Sequence, residues 1–139
     1  MVQGLAHWMA YRNSMFNIQL IEADAVFVAS DILRANLSND YCVEREVTKN
    51  PCPILKGKNR IDLGIKSRID GSVKCLIEFK LADATNEGYE SDVEKLSQIK
   101  QQDKDIDCLV MILYRKPCSY SEPLNFINDD GLAKRGKLK

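Results

Sequence analysis

Residues 60–81 read RIDLGIKSRIDGSVKCLIEFKL, and this stretch decides the predicted fold. Apolar and polar residues alternate on both sides of Asp70-Gly71, a dipeptide that is common in the tight turns of β-hairpins. The pattern therefore predicts two adjacent antiparallel strands, at residues 60–67 and 72–82. Successive side chains of a strand lie on opposite faces of the sheet, so each strand should present one apolar and one polar face.

The length of the hairpin loop decides which residues of the two strands lie opposite each other. A three-residue loop, residues 69–71, puts Asp62 directly opposite Glu78 and keeps the apolar side chains on one face. A two-residue loop would put Asp62 opposite Phe79 and mix a carboxylate with the apolar face. We therefore predict the three-residue loop, with its glycine in a left-handed conformation and both carboxylates facing away from the apolar core.

The rest of the chain predicts an α/β domain around this hairpin. Helical spacing of apolar residues predicts a first helix over residues 16–37, and alternation predicts a strand over 41–48. A capping-box pattern at 91–94 predicts a second helix over 92–102, and the apolar run 108–114 predicts a buried strand. A strand, a helix and a strand in succession make a parallel crossover unit. We therefore expect an α-β-β-β-α-β core with a mixed sheet of about four strands flanked by helices.

Length and composition favour a single soluble domain. The chain has 139 residues, of which 45% are hydrophobic and 29% charged. We take residues 1–139 as one domain, with a core at about 16–114 and a C-terminal extension, 119–139, that ends in a basic tail. No apolar run approaches the roughly 20 residues of a membrane-spanning helix, so we expect no membrane association. The five separated cysteines suggest reduced thiols and a cytoplasmic protein.

Two directly opposed carboxylates destabilise a sheet unless a positive charge lies between them. A hard cation such as Mg²⁺ or Mn²⁺ suits that position beside Asp62 and Glu78, because it binds carboxylates, waters and a phosphate oxygen. Lys80 lies on the same face as Glu78 and can orient an attacking water, remove its proton if the lysine pKa is lowered, or stabilise phosphoryl charge. Glu22, on the apolar stripe of the first helix, is a candidate third carboxylate, and Glu46 on the first strand competes with it.

An Asp on one strand followed by Glu-x-Lys on the next resembles the motif of the PD-(D/E)XK nuclease superfamily. Here the motif consists of Ile61-Asp62 and Glu78-Phe79-Lys80. The predicted order of elements over residues 16–114 is also similar to that family's restriction-endonuclease-like core. The resemblance implies a Mg²⁺- or Mn²⁺-dependent endonuclease that acts on DNA, with RNA as the alternative substrate.

The resemblance also implies roles for individual residues. Asp62, Glu78 and Glu22 would bind the metal, and Lys80 would assist the water. Gln98, on the second helix, resembles the polar residue that some members hold near DNA. A basic loop is a further candidate contact with nucleic acid, through Lys56, Lys58 and Arg60. A domain this small is expected to act as a homodimer, with one site per strand, or beside a protein partner.

The same fold admits another function, that of a non-catalytic module that binds a protein, such as an immunity or regulatory protein. Basic and acidic residues number 20 each, so the formal net charge is zero and no overall field draws the chain to nucleic acid. Acidic residues at positions 83, 87 and 90, after the motif, favour this alternative too. The complete set of Asp, Glu and Lys favours the enzyme.

Overall fold

The computed structural model describes residues 1–16, 21–48, 60–81 and 86–113. Their helices and strands, in chain order, are α1 (Val2–Phe16), α2 (Glu22–Asn36), β1 (Tyr41–Val47), β2 (Ile61–Ser67), β3 (Val73–Leu81), α3 (Asn86–Gln102) and β4 (Asp107–Leu113). None of the helices in these ranges is long and apolar enough to cross a lipid bilayer. The predicted C-terminal extension lies outside the described residues.

The strands form one sheet in the order β1-β2-β3-β4. β1 pairs with β2, and β2 with β3, in antiparallel fashion, whereas β3 and β4 are parallel. α3 connects the two parallel strands, as expected for a crossover unit, because parallel neighbours need a long connection to bring the chain back to the same end. The predicted α/β fold with a mixed sheet of four strands flanked by helices is confirmed.

The N-terminal helices differ from the sequence expectation. α2 begins at Glu22 and not at residue 16, because Ile21 is extended, with φ −112° and ψ 152°. A separate helix, α1, precedes it, although the spacing of apolar residues does not predict one there. α1 packs on α2, and Arg12 forms an ion pair of 2.8 Å with Asp24. Tertiary packing therefore supports a helix whose own sequence has a weak amphipathic pattern.

α3 begins earlier than predicted. The helix starts at Asn86, so Ser91 lies inside it and the predicted capping box is wrong. Tyr89, in the added turn, is buried, and its hydroxyl donates a hydrogen bond of 2.6 Å to the carbonyl of Leu81. This contact with the end of β3 stabilises a turn that local sequence signals do not predict.

Helices cover both faces of the sheet. α1 and α2 pack on one face, in a cluster that includes Leu5, Ala29, Leu63, Ile77 and Phe79. α3 packs on the other, in a cluster that includes Val47, Leu76, Leu96, Ile99 and Cys108. The face of Leu76 and Glu78, expected to lie away from the core, thus has an apolar core of its own. Helices on both faces are typical of a sheet that contains a β-α-β unit.

The β2–β3 hairpin reaches the predicted register through a different loop. The N–H of Ser67 donates to the carbonyl of Ser72 at 2.9 Å, which leaves residues 68–71 as the connection, one residue longer than predicted. The glycine of this loop is left-handed, with φ 71°, as expected. A bulge farther along then shifts the pairing by one residue, so that Leu63 pairs with Ile77. The two differences cancel, because one bulged residue offsets one extra loop residue.

Gly64 is required in the middle of β2 by the side chain of Val47. A Cβ on Gly64 would lie 2.6 Å from Cγ2 of Val47, closer than van der Waals contact permits. We predict that Gly64→Ala lowers the free energy of unfolding in urea by about 1–3 kcal/mol through overpacking. Val47→Ala opens space beside Gly64. In a chain that already carries Val47→Ala, Gly64→Ala should therefore lower the free energy of unfolding by a smaller amount. An equal loss of unfolding free energy in the native and the Val47→Ala chains would contradict the prediction.

Candidate functional site

Asp62 and Glu78 come together where β2 begins and β3 approaches its end. Because Leu63 pairs with Ile77 in antiparallel register, Asp62 and Glu78 are opposite each other at the next position along the strands. Asp62 accepts a hydrogen bond of 2.7 Å from the backbone N–H of Phe79, which holds its carboxylate against β3. Glu78 is 4% exposed. A buried acidic side chain therefore lies next to a partly exposed one.

Burial controls the protonation of Glu78. Burial, together with the hydrogen bond and negative charge of Asp62, raises the pKa of Glu78 to about 8, although Lys95 on α3 partly opposes the shift. The Glu78 carboxyl therefore loses its proton at a higher pH than an ordinary glutamate does. The shift therefore reflects, first, the burial of Glu78 and, second, the carboxylate of Asp62 beside it.

Glu22 joins this pair from the start of α2. Its Oε2 accepts a hydrogen bond of 3.1 Å from the backbone N–H of Leu81, and its Oε1 lies 3.9 Å from Nζ of Lys80. Burial raises the pKa of Glu22, although the charge of Lys80 lowers it. Glu46, the competing candidate, lies on β1 and forms an exposed 2.8 Å ion pair with Arg60. The structure therefore brings Glu22, and not Glu46, to the other acidic residues.

Lys80 lies among the carboxylates as a cation. Its Nζ is 2.8 Å from Oδ2 of Asp92 and 3.9 Å from Oε1 of Glu22. Burial lowers the pKa of Lys80, but the hydrogen bond to Asp92 and the surrounding negative charges outweigh burial and raise the pKa overall. The lysine therefore keeps its proton. This geometry supports a role in orienting a water or stabilising negative charge, and not the removal of a proton.

α3 contributes two residues that the sequence analysis does not identify. Asp92 is 9% exposed and contacts Lys80. Lys95 forms an ion pair with Glu78, lies 3.2 Å from Oδ1 of Asp92 and donates a hydrogen bond of 3.0 Å to the carbonyl of Arg60. Opposing charges raise the pKa of Lys95 overall, although burial lowers it. The site thus extends from the hairpin to the helix that follows it.

A sequence signal for Asp92 exists. Asp92, Leu96 and Ile99 follow each other at helical spacing, and all three are buried, so a carboxylate lies on the apolar stripe of α3. The same reasoning identifies Glu22 on α2. A predicted helix start near Ser91 hides the signal, because Asp92 then resembles an ordinary acidic residue of a first helical turn.

Two of the four residues expected to contact nucleic acid, Gln98 and Arg60, lie in the described part of the chain. Gln98 is exposed on α3, where its amide donates a hydrogen bond of 3.2 Å to Glu94. Arg60 adjoins the site through its main-chain carbonyl, while its guanidinium group pairs with Glu46. Residues Lys56 and Lys58 lie outside the described part of the chain. Of the two described residues, Gln98 and Arg60, Arg60 contacts the site through its carbonyl.

The candidate site therefore combines carboxyl and ammonium groups, from Glu22, Asp62, Glu78, Asp92, Lys80 and Lys95. Within the described ranges, no three His, Cys, Asp or Glu side chains are arranged to hold a metal ion. Lys80 contacts an oxygen of Asp92, and Lys95 contacts an oxygen of Glu78. The donors themselves are the hard oxygens that Mg²⁺ and Mn²⁺ prefer, and a cation would offset the charge of Asp62, which contributes to the raised pKa of Glu78.

Comparison with known proteins adds no assignment. No protein-family model matches the chain, and no curated protein shows significant similarity to it. Function is therefore inferred from the geometry and charges of these side chains.

The proton on Glu78 predicts how stability depends on pH. Its pKa in the folded state, about 8, lies above the unfolded value of 4.5, so folding retains a proton that unfolding releases. This contribution to stability is complete below pH 4.5 and is lost as pH rises through 8. We predict that the free energy of unfolding, measured in urea with EDTA across this range, falls less with pH in Glu78→Gln than in the native chain. Glu90→Gln, an exposed change on α3, should keep the native slope; identical slopes for all three would contradict the prediction.

Proposed function

We propose that this chain is a Mg²⁺- or Mn²⁺-dependent nuclease of the PD-(D/E)XK superfamily that cleaves DNA by in-line attack of water on a phosphodiester. The observation that carries the proposal is the meeting of Asp62 and Glu78 at the end of a hairpin, with Glu22 and Lys80 beside them. Adjacent buried acids weaken a folded chain unless a cation lies near them. A divalent cation is therefore a chemically suitable ligand for this set.

Each residue has a role in this proposal. Asp62, Glu78 and Glu22 would hold the metal through their carboxylate oxygens. The bound metal supplies a water of lowered pKa and neutralises charge on the phosphoryl oxygens. Lys80, as a cation, orients the attacking water and stabilises the negative charge that develops on the phosphoryl group. Asp92 holds Lys80 in position, with its Oδ2 2.8 Å from Nζ.

DNA binding would involve the basic loop, through Lys56, Lys58 and Arg60, and Gln98 on the exposed side of α3. One such site cuts one strand, so cleavage of both strands calls for a homodimer or a partner protein. RNA is the alternative substrate, since the proposed chemistry acts on the phosphodiester common to both nucleic acids.

We further propose that the protein works in the cytoplasm. Cys42, Cys75 and Cys108, the cysteines of the described part of the chain, form no disulfide bonds. Burial raises the pKa of Cys75 to about 12, which keeps this thiol protonated and unreactive. Cysteines without disulfide bonds suit a reducing compartment, where disulfides are rare.

One observation favours a second candidate function, the protein-binding module. Lys80 and Lys95 already pair with buried carboxylates, so the lysines stabilise these charges without a metal. In such a module the network would hold α3 against the sheet, and the formal net charge of zero would suit a protein partner. The chain would then neither bind Mn²⁺ nor cut DNA.

We predict that the full chain cleaves plasmid or single-stranded DNA with Mg²⁺ or Mn²⁺ and that EDTA abolishes cleavage. Asp62→Asn removes a metal ligand and Lys80→Met removes a charge next to the reacting group, so each should slow cleavage by at least about 100-fold. The matched controls are Asp31→Asn and Lys74→Met, exposed charges that lie outside the site.

Gel assays of strand cleavage give the rates, and circular dichroism verifies that each variant is folded. Cleavage that persists in EDTA, or that both site variants retain, would show that these residues do not form the active site. Absence of cleavage together with absence of Mn²⁺ binding by calorimetry would instead favour the protein-binding module.

A further inference from the structure

The ammonium group of Lys95 is surrounded by oxygen atoms from three parts of the fold. It contacts the carboxyl of Glu78 on β3, lies 3.2 Å from Oδ1 of Asp92 on α3 and donates a hydrogen bond of 3.0 Å to the carbonyl of Arg60, just before β2. Its side chain is 19% exposed. The ammonium charge of Lys95 is therefore largely shielded from solvent by these groups of the candidate site.

The partners of Lys95 are unlike those of an ordinary surface lysine. Two carboxyl groups and a main-chain carbonyl are the ligand types of a hard divalent cation. Lys80 differs, because its ion pairs are with Asp92 at 2.8 Å and Glu22 at 3.9 Å, whereas Lys95 has its closest ion pair with Glu78. Lys95 is thus the lysine that competes directly for Glu78.

We propose that Lys95 is an internal counter-cation, which a divalent metal ion must displace from Glu78 in order to bind. The lysine is a positioning residue: it holds Glu78 in place in the metal-free protein and weakens the affinity of the site for metal. This inference rests on the proposed function for the identity of the metal. It does not require that the chain cleaves DNA.

Displacement of Lys95 is feasible because its charge retains a partner. Asp92 lies one helical turn away on α3, and the flexible four-carbon stem of lysine lets the ammonium group leave Glu78 while it stays near Oδ1 of Asp92. A charge that kept no partner would oppose the exchange much more strongly.

The test is isothermal titration calorimetry of MnCl₂ into the full chain. Lys95→Met preserves the length of the side chain and removes its charge, so the Kd for Mn²⁺ should fall roughly ten- to hundredfold. Lys95→Arg preserves the charge and should bind Mn²⁺ about as the native chain does. Lys100→Met is the matched control: this α3 lysine donates hydrogen bonds to the carbonyls of Lys104 and Ile106, and its loss should leave the Kd unchanged.

Thermal unfolding supplies a second readout. Without metal, Lys95→Met should have a lower Tm than the native chain, because Glu78 and Asp92 lose a partner. Saturating Mn²⁺ should raise the Tm of this variant more than that of the native chain. A purely structural lysine would lower the Tm in the same way but would not strengthen Mn²⁺ binding. If Lys95→Met does not fold, Lys95→Gln takes its place with the same expectation, since its amide can still donate to the carbonyl of Arg60.

The outcomes separate this inference from the proposed function. Mn²⁺ binding that is unchanged or weaker in the folded neutral variant would overturn the role of Lys95, whether or not the native chain cuts DNA. Mn²⁺ binding that appears only in the variant without the Lys95 charge would support the role of Lys95 as a counter-cation. The native chain would then fail as a nuclease. Absence of Mn²⁺ binding in every folded variant would overturn both.

Discussion

Backbone pairing between β2 and β3 determines which side chains meet at the candidate site. In an antiparallel pair, a slip of one residue moves every side chain of a strand to the opposite face. Leu63 opposite Ile77 is the register that brings Asp62 to Glu78 and leaves the apolar side chains to the two cores. The apolar contacts along the hairpin therefore also hold Asp62 and Glu78 next to each other, although these two acidic residues repel each other.

That repulsion explains the arrangement of charges around the hairpin. Glu78 lies under α3 with almost no exposure, and its neutral form is favoured because burial and Asp62 both penalise its charge. Lys80 and Lys95 reduce the penalty, and Asp92 contacts both lysines. Buried charges of this kind seldom contribute net stability, since desolvation offsets most of their attraction. A gain in net stability therefore does not account for their presence.

The two functions considered for this site differ in what the lysines do. In the nuclease, Lys80 acts on the phosphoryl group, and Lys95 yields its position at Glu78 to a metal. In the protein-binding module, both lysines hold α3 to the end of the sheet permanently. Lys95 is therefore the residue whose behaviour distinguishes an ion-pair network that holds the fold together from a metal site in its metal-free state.

Local periodicity was sufficient to predict the sheet and much of the site. The alternation of apolar and polar residues along 60–81 predicted the hairpin and the shared face of Glu78 and Lys80. The turn chemistry of Asp70-Gly71 led to the observed register, in which Asp62 lies opposite Glu78. The register was right although the predicted loop was one residue too short, because a bulge compensated for it. A bulge depends on the packing of the whole strand and has no reliable local signal.

The tertiary structure decided which residues from distant elements joined the hairpin. It selected Glu22 over Glu46, extended α3 backward through the contact of Tyr89 with Leu81, and brought Asp92 and Lys95 of α3 to Lys80 and Glu78. It also made Lys80 a paired cation. These outcomes depend on burial and on distances between groups far apart in the chain, which determine pKa values and partners. Periodicity reports only which face of its own element a residue occupies, so the sequence by itself determined the strands, and packing determined the chemistry between them.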